Sequence, residues 1–94
     1  MSEQLADAIN ELEVLADGRA SRVADHLHKL GITGYRESEC SCPLANWITQ
    51  RIGLTVWVDL VSVALEDGDY VYLPDPLAAF VREFDGGAYP DLRA

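Results

Sequence analysis

The sequence predicts one α+β domain in which three helices, an antiparallel β-hairpin and a fourth helix follow one another, with helices covering one side of a small sheet. Three observations point there. Apolar residues recur at helical spacing through the amino-terminal half and again near the end, β-branched residues crowd residues 54–66, and Asp67-Gly68 precedes the short strand-like run Tyr70-Val71-Tyr72-Leu73.

The first helix spans residues 2 to about 16, where Leu5, Ile9, Leu12 and Ala16 make a buried stripe and Glu3, Asp7, Glu11 and Glu13 face water. Ser2 is its expected cap, and Asp17-Gly18 ends it. A second helix runs from about Arg19 to Leu30 on Ala20, Val23, Leu27 and Leu30, and Gly31-Ile32 supplies a glycine-then-hydrophobe ending. Residues 33–41 are polar and lack either periodicity, so they read as a loop. Pro43 opens the third helix, with Leu44, Trp47, Ile48 and Ile52 as its apolar face and Gly53 as its stop.

Alternation over residues 54–66 is imperfect. Val56, Val58 and Leu60 fall on one face while Val61, Val63 and Leu65 fall on the other, which predicts a strand buried on both sides or changing face at a bulge near Leu60. Asp67-Gly68 predicts a two-residue hairpin turn leading into Tyr70-Val71-Tyr72-Leu73. Pro74-Asp75-Pro76 ends that strand and starts the last helix, with Asp75 as cap and Leu77, Phe80, Val81 and Phe84 as the buried stripe. Gly86-Gly87 stops it, and Tyr89 and Leu92 pin the tail to the body.

Ninety-four residues suit a single domain over residues 1–94, and 49% hydrophobic with 24% charged content is globular, which excludes disordered and collagen-like chains. Sixteen acidic against seven basic residues leave a formal charge of -9, which disfavours nucleic acid and anionic lipid. No apolar stretch approaches the ~20 residues of a membrane span. The amino terminus carries no leader pattern, so a cytoplasmic location with reduced thiols is expected.

Four residues carry ligand chemistry, His26, His28, Cys40 and Cys42, but alternate helix positions separate the two histidines. The metal reading is therefore Cys40, Cys42 and one histidine, His28, with a redox thiol of lowered pKa at the third helix's start as a variant. An acid and base assemble on paper from His28, Asp25, Glu37 and Glu39, yet no nucleophile elbow or phosphate loop accompanies them, so no catalytic residue and no cofactor are assigned. Helices followed by a hairpin suggest a winged-helix-like order, in which Asn46, Thr49, Gln50 and Arg51 would reach DNA bases. The long loop before that helix and the acidic tip Glu66-Asp67-Gly68-Asp69 oppose it.

The reading carried forward is a small acidic, non-enzymatic protein-binding or regulatory module. Its contact residues would be Trp57, Asp59, Tyr70 and Tyr72, because aromatic side chains anchor interfaces and an acidic rim steers a basic partner. Edge pairing into a homodimer is the alternative use of the same hairpin.

Cys42-Pro43-Leu44-Ala45 at a helix start, then Leu73-Pro74-Asp75-Pro76, Phe80-Val81-Arg82-Glu83-Phe84-Asp85 and Tyr89-Pro90-Asp91-Leu92, resembles small uncharacterised proteins of actinobacteria and actinophages over roughly residues 20–92. The likeness implies kinship and brings no activity, cofactor or site residue with it. Six arginines to one lysine is compatible with a GC-rich source.

Overall fold

The computed structural model describes residues 3–94, so the expected cap at Ser2 lies outside the described residues. Helix α1 (Glu3–Ala16) buries Leu5, Ile9, Leu12 and Ala16, with Ala8 beside them. Helix α2 (Ala20–Lys29) buries Val23, Ala24 and Leu27. Leu30, expected to extend that stripe, instead occupies the carboxy-terminal cap and is exposed. Gly31 N–H donates to His28 O and Ile32 N–H to Leu27 O, both at 3.0 Å. This bond pair turns the chain out of the helix and drives Ile32, rather than Leu30, into the core.

Helix α3 (Pro43–Ile52) begins at Cys42, whose Sγ accepts from Ala45 N–H at 3.4 Å, and buries Leu44, Ala45, Trp47 and Ile48. The last helix, α4 (Asp75–Asp85), buries Leu77, Phe80, Val81 and Phe84. Its cap is Pro74, one residue before the expected Asp75, because the Pro74 carbonyl already accepts from Leu77 and Ala78 N–H at 3.0 Å each. Asp75 thereby enters the first turn, where a carboxylate complements the positive helix end.

Between α3 and α4 lies a three-stranded antiparallel meander, β1 (Val56–Val58), β2 (Ser62–Leu65) and β3 (Tyr70–Tyr72), in the order β1-β2-β3. The single strand expected over residues 54–66 is two strands, because the chain reverses at residues 59–61. Asp59 Oδ1 accepts from Val61 N–H at 2.7 Å and Ser62 N–H at 2.6 Å, so a carboxylate closes a turn that contains no glycine. The reversal also resolves the broken alternation. Val56 pairs with Leu65 and Val58 with Val63, which puts all four on the buried face. The second turn holds three residues rather than two: Leu65 N–H donates to Asp69 O at 2.8 Å and Gly68 N–H to Leu65 O at 3.0 Å. Gly68 sits at φ 93, the left-handed position that such a loop reserves for glycine.

The architecture is α+β, with α1 packed against α2, α3 and α4, α2 against α4, and the sheet joined to the helices through β1 on α3. The tail closes over this body as expected. Leu92 is buried, the Tyr89 ring stacks 5.5 Å from Phe80, and the Tyr89 hydroxyl donates to Glu83 Oε1 at 2.6 Å. The loop from residue 30 to residue 42 is fastened at Gly34, whose N–H donates to Leu92 O at 2.8 Å and whose carbonyl accepts from Ala94 N–H at 2.9 Å.

Candidate functional site

The meander buries one face and leaves the other open. Strand alternation fixes which residues stand there: Trp57, Ala64 and Tyr70 form one cross-strand row, and Ser62 and Tyr72 the next. Trp57 is 36% exposed, Tyr70 52% and Tyr72 66%, values that put three large rings within reach of a partner. The central strand contributes only the small side chains of Ser62 and Ala64, so aromatics on the two flanking strands border a lower middle. Tyr70 and Tyr72 meet edge to face, centroids 5.3 Å apart at 83°, and the Tyr72 hydroxyl beside it holds the Tyr70 phenol above its ordinary pKa. Each therefore helps to fix the other's orientation.

Asp59, expected among the contact residues, is occupied by the turn. Its hydrogen bonds from Val61 and Ser62 N–H hold the carboxyl below its usual pKa and fix it at the end of the sheet. The turn it closes exposes Leu60 and Val61, which the strand reading of this segment places on opposite faces of one continuous strand. Small residues at the centre of the outer face were the available sequence signal for an uncovered surface, since a packed layer there would require bulk to fill it.

Charge is distributed unevenly. Residues 52–81 contain no Lys, Arg or His and carry Asp59, Glu66, Asp67, Asp69 and Asp75, so the sheet segment is wholly anionic. Three of the seven Lys and Arg residues, all outside this segment, are engaged by the fold among the described residues. Arg51 Nε contacts Glu11 Oε2 on α1 at 2.9 Å, Arg36 donates twice to Asp85 O at 3.0 and 2.7 Å, and Arg93 donates to Gly87 O at 3.3 Å. Arg22, His26 and Lys29 of α2 line a surface cleft of about 350 Å³ with Asp25 and Leu15.

The ligand-type residues do not converge. Cys42 is buried at 3% exposure under the start of α3, Cys40 is exposed in the loop, and His28 stands exposed on α2. Among the described residues no group of three His, Cys, Asp or Glu side chains is placed to hold a metal ion. The lowered thiol pKa expected at the helix start is reversed: burial pushes the Cys42 thiol up, outweighing the Ala45 and Leu44 N–H groups that favour a thiolate. Glu37 and Glu39 border a second cleft of about 190 Å³ with Cys42, Asp59 and Asp85, which His28 does not line.

Two of the four residues of the DNA reading, Asn46 and Arg51, are tied to other parts of the fold. Asn46 Nδ2 donates to Thr33 O at 2.7 Å and Ser41 O at 3.2 Å, tying the preceding loop to α3. Thr49 is half-buried, Gln50 and Arg51 are exposed, and Arg51 faces Glu11 as described. Among the described residues no helix is long and apolar enough to cross a membrane.

No protein-family model, no curated protein and no solved structure matches this chain, so its site stands on its own geometry.

Proposed function

We propose that this chain is a non-enzymatic protein-binding module with a regulatory role, acting through the outer face of its sheet. The observation that carries this reading is the exposed set Trp57, Tyr70 and Tyr72 on one face of the sheet, with the core filled from the opposite side. Exposed rings cost free energy in water, and an interface that covers them recovers it at small entropic cost because each ring has few rotatable bonds. Tryptophan and tyrosine are the side chains on which interface energy most often concentrates. The surrounding carboxylates favour a basic partner and speed its approach.

The test compares two baits from one lysate of the source organism, the wild-type chain and a Tyr70→Ala/Tyr72→Ala variant, with quantitative mass spectrometry as readout. A partner enriched at least five-fold on the wild type over the variant supports the reading. Identical capture by both baits, with both folded by circular dichroism, refutes it.

A further inference from the structure

We infer that the outer edge of β3 takes an extended, cationic segment of the partner protein as a fourth strand; this deepens the protein-binding reading and rests on it. Backbone geometry comes first. Asp69 and Leu73 both bond across to β2, through Leu65 N–H to Asp69 O and Leu73 N–H to Val61 O, each at 2.8 Å. Antiparallel pairing alternates, so Val71 shares their inward direction and the backbone groups of Tyr70 and Tyr72 turn away from the sheet. Tyr70 N–H is taken by the Asp69 carboxylate at 3.1 Å. Tyr70 C=O, Tyr72 N–H and Tyr72 C=O then point outward, and among the described residues nothing pairs with them. The opposite edge is different. On β1, Val58 N–H donates to Glu39 O at 2.7 Å, so the chain's own loop occupies that side.

Chemistry selects the occupant. A strand laid along β3 sends every second side chain onto the aromatic face, beside Tyr70 and Tyr72, and the intervening ones toward the rim of the core beside Val71. Rings favour guanidinium or ammonium groups within about 6 Å. Asp69, Glu66 and Asp67 at one end of β3 and Asp75 at the other, with no cation anywhere in residues 52–81, add attraction for the same groups. The matching segment alternates Arg or Lys with apolar residues. A second copy of this chain fits poorly: two β3 strands paired antiparallel about Val71 would set Asp67 against Asp75 of the other copy at both ends.

The probe is a labelled heptapeptide of alternating Arg and Val, titrated against the full chain by fluorescence anisotropy and followed by amide NMR. Three controls accompany it: the same peptide N-methylated at each Arg amide, a Glu-Val counterpart, and the Tyr70→Ala/Tyr72→Ala variant. Expected results are saturable binding with the Tyr72 amide shifted, a loss of ten-fold or more on N-methylation, a loss of five-fold or more in the variant, and no binding of the Glu-Val peptide. Binding that survives N-methylation but falls in the variant overturns strand addition and leaves the aromatic-face reading intact. Binding unaffected by either change is charge adhesion and overturns the inference, as does an absence of binding at low salt. A free protein that is dimeric by light scattering, with the Tyr72 amide protected, overturns it in favour of self-pairing.

Discussion

Replacing Gly34 by alanine tests whether the loop, the start of α3 and the tail form one fastened unit. A β-carbon at residue 34 would lie 2.4 Å from Ser41 O, 2.5 Å from Pro43 N and 2.6 Å from Cys42 C, all backbone atoms that no side-chain rotation can move aside. Ordinary contact requires retreat by about 1 Å. Gly34 N–H to Leu92 O at 2.8 Å, Ala94 N–H to Gly34 O at 2.9 Å and Tyr35 N–H to Ser41 O at 2.9 Å all radiate from this point, and such a shift takes some of them beyond hydrogen-bond range. Overpacking costs about 1–3 kcal/mol. Two broken bonds add about 1–3 kcal/mol together, so the expected loss is roughly 4 kcal/mol. That is a large part of the ~5–14 kcal/mol available to a chain of this size. Urea unfolding followed by circular dichroism measures it, with a midpoint lowered by about 2 M or more for a slope near 2 kcal/mol/M. Gly18→Ala is the control, because Gly18 shares no close contact and only its φ of 77 is penalised, at about 1–2 kcal/mol. A Gly34→Ala loss no larger than that of Gly18→Ala would refute the fastening.

Four further outcomes follow from particular contacts. Tyr72→Ala should lower stability by less than about 1 kcal/mol, the worth of an exposed cross-strand pair, whereas Phe80→Ala should cost about 3–5 kcal/mol; chemical denaturation that reverses this order would place the Tyr72 ring in the core. Native protein should show one thiol, Cys40, reacting rapidly with Ellman's reagent at pH 8, with Cys42 released only on unfolding; two fast thiols would contradict its burial. Burial, followed by the hydrogen bond to Glu83, pushes the Tyr89 phenol from 10.0 up to about 12. The folded state therefore holds a proton that the unfolded chain releases near 10, so this contribution is complete below that pH and disappears as pH rises toward 12. Melting curves from pH 9 to 12 should fall more steeply for the wild type than for Tyr89→Phe, and parallel curves would refute the linkage. A gel-shift titration of the chain with duplex DNA at low salt should show no complex, and a complex abolished by altering Arg51 would restore the nucleic-acid reading.

Much of the fold was legible because its local and tertiary demands agree. The stripe Leu5, Ile9, Leu12 and Ala16 is buried throughout, as are Leu77, Phe80, Val81 and Phe84, since each helix has one face with enough apolar area to pack. Departures occur where a hydrogen bond settled what composition could not. Leu30 is apolar and correctly spaced, yet Gly31 and Ile32 N–H end the helix before it can be used. Asp59-Leu60-Val61-Ser62 contains neither glycine nor proline, so only Asp59 and Ser62, residue types that also favour turns, hint at a reversal within an apolar run. The Asp59 carboxylate supplies it by accepting two backbone N–H groups. Gly68 marked its turn, but the loop length followed from the Leu65–Asp69 pairing and not from the dipeptide.

The site was legible as a set of residues and illegible as a surface. Alternation alone puts Tyr70 with Tyr72, and Trp57 with Asp59, on common faces, but it cannot align the two sets because their relation depends on two turns, the first unannounced by the strand pattern and the second one residue longer than Asp67-Gly68 predicts. Once Asp59 closes the first turn, Trp57, Ala64 and Tyr70 fall into one row and Val56, Val58, Val63 and Leu65 into the opposing face. The helices then decide exposure. Their stripes pack on one another and on the inner face of the sheet, and among the described residues no apolar layer is left to cover the outer one. A carboxylate that looked like part of a contact surface is thus the reason that surface exists. Replacing Asp59 by Ala should disturb binding through the register of Trp57 against Tyr70, detectable as lost β1–β2 amide protection, whereas loss of binding with that protection intact would make Asp59 a direct contact after all.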